Sequence, residues 1–319
     1  MTFGGTIRIR DIANRRFLSV SFFIFLSLLS AECVLAKQII IDSDDQFRFA
    51  YEYMEKGEYL RAVREFERLI YFFPQDKNVP RAHYLIGFCY LKGKEYESAR
   101  KVLERVYKTY SQRPIAGKAL FLIGESYYIQ GVSDEAEHYF EKVIEGDLRS
   151  EFKDATLYRL GWSLMKANRW KEASEVFIRV GKTSPLYSHS LDLSKKSLQG
   201  EQLPRKDPTA AGVMAGIVPG LGHAYCKRYK DGIVAFLLNG LFIWAAVESF
   251  DQGNNVLGGI LTFLELGWYS GNIYSAVNSA HKYNRKVRND FRKSLTDRLE
   301  LDLFLTRHNH LGIALSVRF

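Results

Sequence analysis

The stretch "AVREFERLIYFF", Ala62–Phe73, decides how this chain folds. Val63, Phe66, Leu69, Ile70 and Phe73 fall on one face at helical spacing, with Arg and Glu on the other, so the segment predicts an amphipathic helix. The same pattern returns every 37 residues. Ala62, Ala99, Ala136 and Ala173 form one column, and Phe66, Leu103, Phe140 and Phe177 a second. Leu69, Val106, Val143 and Val180 form a third, and Ala50, Gly87, Gly124 and Gly161 a fourth. Each copy carries a turn at the same place: "EKGEY", "LKGKEY", "IQGVSD" and "KANRW". A fixed period of this length is the mark of stacked structural repeats. Two antiparallel helices that pack closely need a small residue where their backbones approach. Gly or Ala in the first helix and Ala in the second supply it. Tyr53, Tyr90, Tyr127 and Leu164 are expected to fill the space beside them, and Phe66, Phe140 and Phe177 to close against the next unit. Glycine or asparagine in the turn accepts the left-handed backbone found at helix ends.

These columns resemble the tetratricopeptide repeat (TPR), over four units from about Asp45 to Lys182. The usual period of that repeat is 34 residues. The extra residues lie between units, in "FPQDKNVPRA" and "YSQRPIAGKA", and are similar to those of periplasmic envelope-assembly repeat proteins. The outer-membrane assembly lipoprotein and the Tol–Pal-associated coordinator are of that type. The resemblance implies an α-solenoid that binds a protein or peptide on its concave face. The candidate groove residues on the first helix of each unit are Arg48, Tyr51, Tyr84, Phe88, Phe121, Glu125, Tyr158 and Trp162.

The flanks extend the reading. Arg8, Arg10, Arg15 and Arg16 precede the apolar run "FLSVSFFIFLSLLS" (Phe17–Ser30), and "VLA" (Val34–Ala36) offers a small-residue cleavage site. Residues 1–36 therefore read as a secretory signal peptide, with the repeats exported over 37–182. The mature part keeps Cys89 and Cys226, far apart in sequence, which argues against a disulfide framework. Residues 183–208 read as a capping helix, needed at a solenoid end, followed by a proline-bearing linker.

Three apolar runs follow, at 209–225, 233–250 and 256–280, and read as a small transmembrane helical bundle. The motif "VPGLGHAY" with a basic turn after it resembles small bacterial membrane modules of the TM2-like type, over Ala210–Ala280. Asn239, Glu265, Tyr269 and Asn272 are the polar candidates within the spans, Glu265 as an intramembrane acid. "CKRYKDG" and "HKYNRKVRNDFRK" are basic, and "ESFDQGNN" is acidic. The positive-inside tendency then puts both basic segments in the cytoplasm, opposite the exported repeats. This predicts a bacterial inner-membrane protein with a periplasmic solenoid, the outer membrane being the alternative. The basic segment 281–298 would meet anionic lipid headgroups near Lys282–Lys293. Residues 299–319 alternate apolar and polar positions and read as a C-terminal β-hairpin, which could pair with itself in a homo-oligomer.

The expected fold class is thus all-α: a TPR solenoid of about four helix pairs, a transmembrane bundle and a terminal hairpin. The net charge of +9 suits an anionic surface, but nucleic acid is a poor fit for an exported repeat domain. Catalytic motifs, a metal-ligand cluster and a cofactor fingerprint are lacking in the sequence, so the expectation is a non-enzymatic envelope scaffold without cofactor or metal. The alternatives are a transport or energy-coupling subunit working through Glu265, and an outer-membrane assembly component.

Overall fold

The computed structural model describes residues 41–146, 150–296, 300–305 and 311–316. The expected signal peptide and its cleavage site lie outside these residues. Eight helices form four antiparallel pairs: α1 (Ser43–Glu55) with α2 (Tyr59–Phe72), α3 (Val79–Lys92) with α4 (Tyr96–Thr109), α5 (Pro114–Gln130) with α6 (Ser133–Glu145), and α7 (Ser150–Lys166) with α8 (Trp170–Ile178). Each helix packs on its neighbours in sequence, and α3 also touches α5 across a repeat. Phe66, Phe121, Phe140, Tyr84, Tyr158 and Phe177 are fully buried within one continuous core.

The glycine column explains the packing distance. A Cβ added at Gly124 would stand 2.6 Å from the Phe140 ring, and one at Gly161 would stand 2.6 Å from Phe177. At Gly87 it would meet Leu103 at 2.5 Å. In units two to four the large residue of the second helix therefore seats on the glycine of its own unit.

The turns share one geometry. Gly57, Lys94, Gly131 and Asn168 all have positive φ in the left-handed region, at 77°, 65°, 79° and 64°. The next residue's N–H in each case donates back to a carbonyl five residues earlier: Glu58 to Tyr53, Glu95 to Tyr90, Val132 to Tyr127 and Arg169 to Leu164. This is the Schellman ending, which satisfies carbonyls left open at a helix C-terminus.

α9 (Tyr187–Gln199) packs on α8, with Ser174 and Ser194 hydroxyls 2.8 Å apart between them. A short 3₁₀ turn, Gly200–Gln202, follows. α10 (Pro208–Ile217) and α11 (Leu221–Tyr225) are short, α12 (Tyr229–Asp251) has 23 residues, and α13 (Asn255–Thr296) is one unbroken helix of 42 residues. At 1.5 Å per residue α13 is about 63 Å long. It carries the third apolar run and the basic segment together. Its far end returns to the solenoid: Phe291 meets the Trp170 ring edge-on at 5.7 Å, Leu295 is buried in the repeat core, and Arg292 donates to the carbonyls of Met165 and Lys166 at 3.3 and 2.6 Å. The linker is tied down as well, by two 2.8 Å hydrogen bonds between the Lys206 backbone and the Asn284 amide.

The expected fold class is corrected here. Among the described residues the architecture is an all-α solenoid of paired helices, and only α12 is long and apolar enough to cross a membrane. α10, with 10 residues, is too short to do so, and the expected three-span bundle is not formed. Glu300–Leu305 and Leu311–Ser316 pair antiparallel with each other alone, Leu303 opposite Ile313, and add no layer to this architecture. The contacts of α13 also rule out the expected two-sided arrangement. Asn284, Phe291 and Arg292 cannot lie across a membrane from the repeats and at the same time touch Lys206, Trp170 and Lys166.

Candidate functional site

The expected groove residues occupy two different places. Arg48 is exposed on α1 and pairs with Asp45 of the same helix. Tyr51, Tyr84, Phe88, Phe121, Glu125, Tyr158 and Trp162 are buried. Tyr158, Trp162 and Phe177 form an edge-on aromatic cluster that fills the fourth unit. Most of the large aromatics on the first helices thus face inward, while Phe49 and Ile129 on those helices and Tyr71 and Phe72 on α2 stay exposed.

Glu125 on α5 and Arg159 on α7 form a buried ion pair, Oε1 to Nε 2.5 Å. The guanidinium also lies over the Tyr128 ring, 4.9 Å from its centre, and the Lys166 ammonium covers the same ring at 3.4 Å. Burial pushes the Glu125 carboxyl above its usual range, with Arg159 and then Lys166 pulling against it. Burial works against the Arg159 charge too, but Glu125, followed by Tyr128, outweighs it and holds it above its ordinary value. Lys166 is exposed overall, yet partial burial of its ammonium, then repulsion from Arg159, pushes it down to about 8. A charge pair sealed between two repeats is costly to desolvate and intolerant of losing one partner, so removing either Glu125 or Arg159 would leave an uncompensated charge between units three and four.

Outside the core, Arg100 spans units: its guanidinium lies 4.4 Å from the Tyr127 ring centre and donates to Gln130 Oε1 at 2.5 Å. Arg169 joins Glu137 of the preceding unit to Glu172 of its own.

A cleft of about 250 Å³ opens between the first turns of α3 and α5. Tyr84 is the one expected groove residue that lines it. The cations around it, Lys77, Arg81, Arg113 and Lys118, were not singled out by sequence. A signal existed: Arg81 and Lys118 stand one 37-residue step apart, at the same repeat position.

In the apolar part, Asn239 donates to Ala235 O at 2.6 Å within its own helix, and neither Glu265 oxygen has a hydrogen-bond partner among the described residues. Tyr269 donates to Gly216 O at 3.0 Å and Asn272 to Ala215 O at 3.5 Å, so these two fasten α13 to α10. Gly220, at φ 88°, and Gly222 make the break in "VPGLGHAY" work. A Cβ at Gly220 would stand 2.0 Å from Gly232 O, and one at Gly222 2.1 Å from Ala211 O. Among the described residues no cluster of His, Cys, Asp or Glu could hold a metal ion.

Comparison with known proteins follows this division of the chain. Residues 41–144 match the YfiO family model, described as outer membrane lipoprotein, and residues 155–186 match a tetratricopeptide-repeat model. Neither match reaches the expected TM2-like module. No curated protein matches the sequence. Among solved structures, a TPR-like repeat protein of the kinesin light chain type from Podosopora anserina is 18% identical, over 50% of this chain and 86% of its own, with a TM-score of 0.42. The apo form of RapI is 14% identical over 85% and 96%, at 0.39. A tetratricopeptide repeat protein from Parabacteroides merdae is 12% identical over 79% and 98%, at 0.41. The match over residues 41–144 overturns the expected inner-membrane placement, since the family it names is one of outer membrane lipoproteins. The TPR fold is a protein-interaction module without catalytic machinery. The chain therefore carries paired-helix repeats of the tetratricopeptide kind, of which the first three units are similar to the YfiO outer membrane lipoprotein family and the fourth to a tetratricopeptide-repeat model.

Proposed function

We propose that this protein is an outer-membrane assembly component whose repeat stack holds a segment of another envelope protein. The observation that supports this reading is the match of residues 41–144, covering α1 to α6, to an outer membrane lipoprotein family. The packing is consistent with it. Aromatics seated on glycines hold the units closely packed, so the exposed residues of the repeats are preorganised for a partner. In this reading the exposed apolar flank of α12, with Phe236, Leu237 and Trp244, holds the chain to the membrane. A photocrosslinking residue placed at Tyr71, Tyr107 or Ile129, all exposed on the repeats, tests the proposal in cells. The expected result is an adduct with an outer-membrane assembly protein, in a fraction that sediments with the outer membrane. Adducts confined to cytoplasmic proteins, or sedimentation away from the outer membrane, contradict it.

A further inference from the structure

Three segments meet at the base of the apolar hairpin formed by α12 and α13. The linker reaches it through the hydrogen bonds between the Lys206 backbone and Asn284. The turn before α12 reaches it through Arg228, which donates to Ser279 Oγ on α13 at 3.2 Å, and through Tyr225, whose hydroxyl accepts from Asp207 N at 3.1 Å. Residues 205–207, 226–231 and 281–287 together carry eight Lys or Arg against two Asp. Both acids are engaged locally, Asp207 accepting from Thr209 N and Asp231 pairing with Arg228. Lys227, Lys230, Lys282, Arg285 and Lys286 are exposed. Farther along α13 the basic residues serve the solenoid instead, where Arg292 donates to the end of α7. The positive charge open to a partner is therefore a collar at one level of the hairpin, not the whole basic segment that the sequence marks.

Next to this collar the hairpin is built inside out. Its buried positions are small or polar and recur at steps of seven: Gly232, Asn239 and Ala246 on α12, and Glu265, Asn272 and Ser279 on α13. Its large apolar residues are the exposed ones, Leu237 of α12 at 62% and Phe263 of α13 at 77%. Small and polar contacts within a helix pair, with apolar side chains outside, suit lipid rather than water. No Lys or Arg occurs between Lys230 and Lys282, and the tip carries Glu248 and Asp251. Tyr229 and Tyr283 stand where the apolar part meets the collar, the place that amphipathic rings take at a membrane surface. We propose that the collar binds the headgroups of anionic phospholipids, with the hairpin in lipid on one side of it and the solenoid on the other. Charge by itself would fit an acidic protein or a nucleic acid as well. The exposed apolar surface continuous with the collar selects a membrane. The collar rests on the membrane hold of α12 proposed above and adds which lipid is chosen.

The test titrates the full chain in neutral detergent micelles with phosphatidylglycerol or phosphatidylcholine, each carrying the same fluorescent acyl chain, and reads anisotropy. Phosphatidylglycerol is expected to bind at least about tenfold more tightly, since each basic residue near an anionic surface favours binding by up to roughly fivefold. Lys227→Gln, Lys230→Gln, Lys282→Gln and Lys286→Gln together should abolish that preference and leave phosphatidylcholine binding unchanged. Arg64→Gln, Lys101→Gln, Lys108→Gln and Lys171→Gln, which remove as many exposed charges from the repeats, should keep it. If circular dichroism shows that the fourfold collar variant has not folded, the four single replacements take its place, each weakening phosphatidylglycerol by about two- to fivefold. Dilution of the unaltered chain from detergent into pure phosphatidylcholine vesicles tests the membrane hold separately. A chain that floats with those vesicles but shows no lipid preference overturns the collar alone, and one that does not float overturns the hold the collar needs. The proposal is also overturned if the collar variants keep the preference, or if a pentaglutamate peptide binds more tightly than phosphatidylglycerol, which would assign an acidic protein partner.

Discussion

At the scale of single residues, the four left-handed turn positions are chemically unequal. Glycine takes that conformation freely and asparagine tolerates it, but at Lys94 an ordinary side chain does so at φ 65°. The left-handed region costs an L-residue about 1–2 kcal/mol. Lys94→Gly should therefore stabilise the protein by roughly 1 kcal/mol, and Gly131→Ala should destabilise it by a similar amount, measured by denaturant unfolding. The sequence points to glycine in this turn, yet Gly93 has an ordinary φ of −74° and its neighbour carries the strain. Gly124→Ala drives a methyl group into the Phe140 ring and should cost about 1–3 kcal/mol, read in the same way. Lys166 adds a pH dependence. Its ammonium titrates at about 8 in the folded chain against 10.5 unfolded, through burial and then Arg159. Between those values the unfolded chain binds more protons, so this residue makes stability rise with pH, its penalty being complete below about pH 8. Lys166→Met should flatten that rise between pH 8 and 10, and an unchanged slope would show that the ammonium is not held as described.

At the scale of elements, the interest lies in α13. Half of it is apolar and half basic, and the sequence reads the change near residue 281 as the end of a span. Nothing in the backbone ends there. Lys, Arg, Asn and Ser continue a helix well enough when its far turn has something to dock on, and that something is Trp170 and the end of α7. The contact joins Arg292 to carbonyls 127 and 126 residues earlier, and it occurs once. Repeats are legible because the same solution is written four times, whereas a single long-range dock leaves no periodic trace. Phe291→Ala together with Arg292→Ala should lose about 2–4 kcal/mol of docking, from half-buried ring area and hydrogen bonds to a charged donor. The expected readout is amide exchange that speeds up in the last three turns of α13 while α3 to α6 stay protected. Equal acceleration throughout the repeats would mean that α13 is part of the fold rather than a fastening.

At the scale of the whole molecule, sequence reading recovered the four helix pairs, the turns between their helices and their small-residue columns. Seven of its eight candidate groove residues are buried, because the aromatics that define a repeat are the ones that pack it. It also misread the membrane part. Charge asymmetry assigns sides only when the intervening runs cross, and α10 is too short to cross. α12 leads away from the solenoid and α13 returns to it. The linker, the basic turn at Lys227–Lys230 and the basic end of α13 accordingly gather at one end of the apolar hairpin, as the Lys206 and Lys227 ammonium groups near the Tyr283 ring show, each 5.9 Å from its centre. The central claim is that the repeats and the basic end of α13 form one body on one side of any membrane. Cysteines at Lys206 and Asn284, in a chain whose own Cys33, Cys89 and Cys226 are replaced by serine, test it most directly with a short bismaleimide in intact cells. The account predicts efficient intramolecular crosslinking, lost when either cysteine is omitted. Cysteines that both react with maleimide yet never crosslink to one another would contradict it.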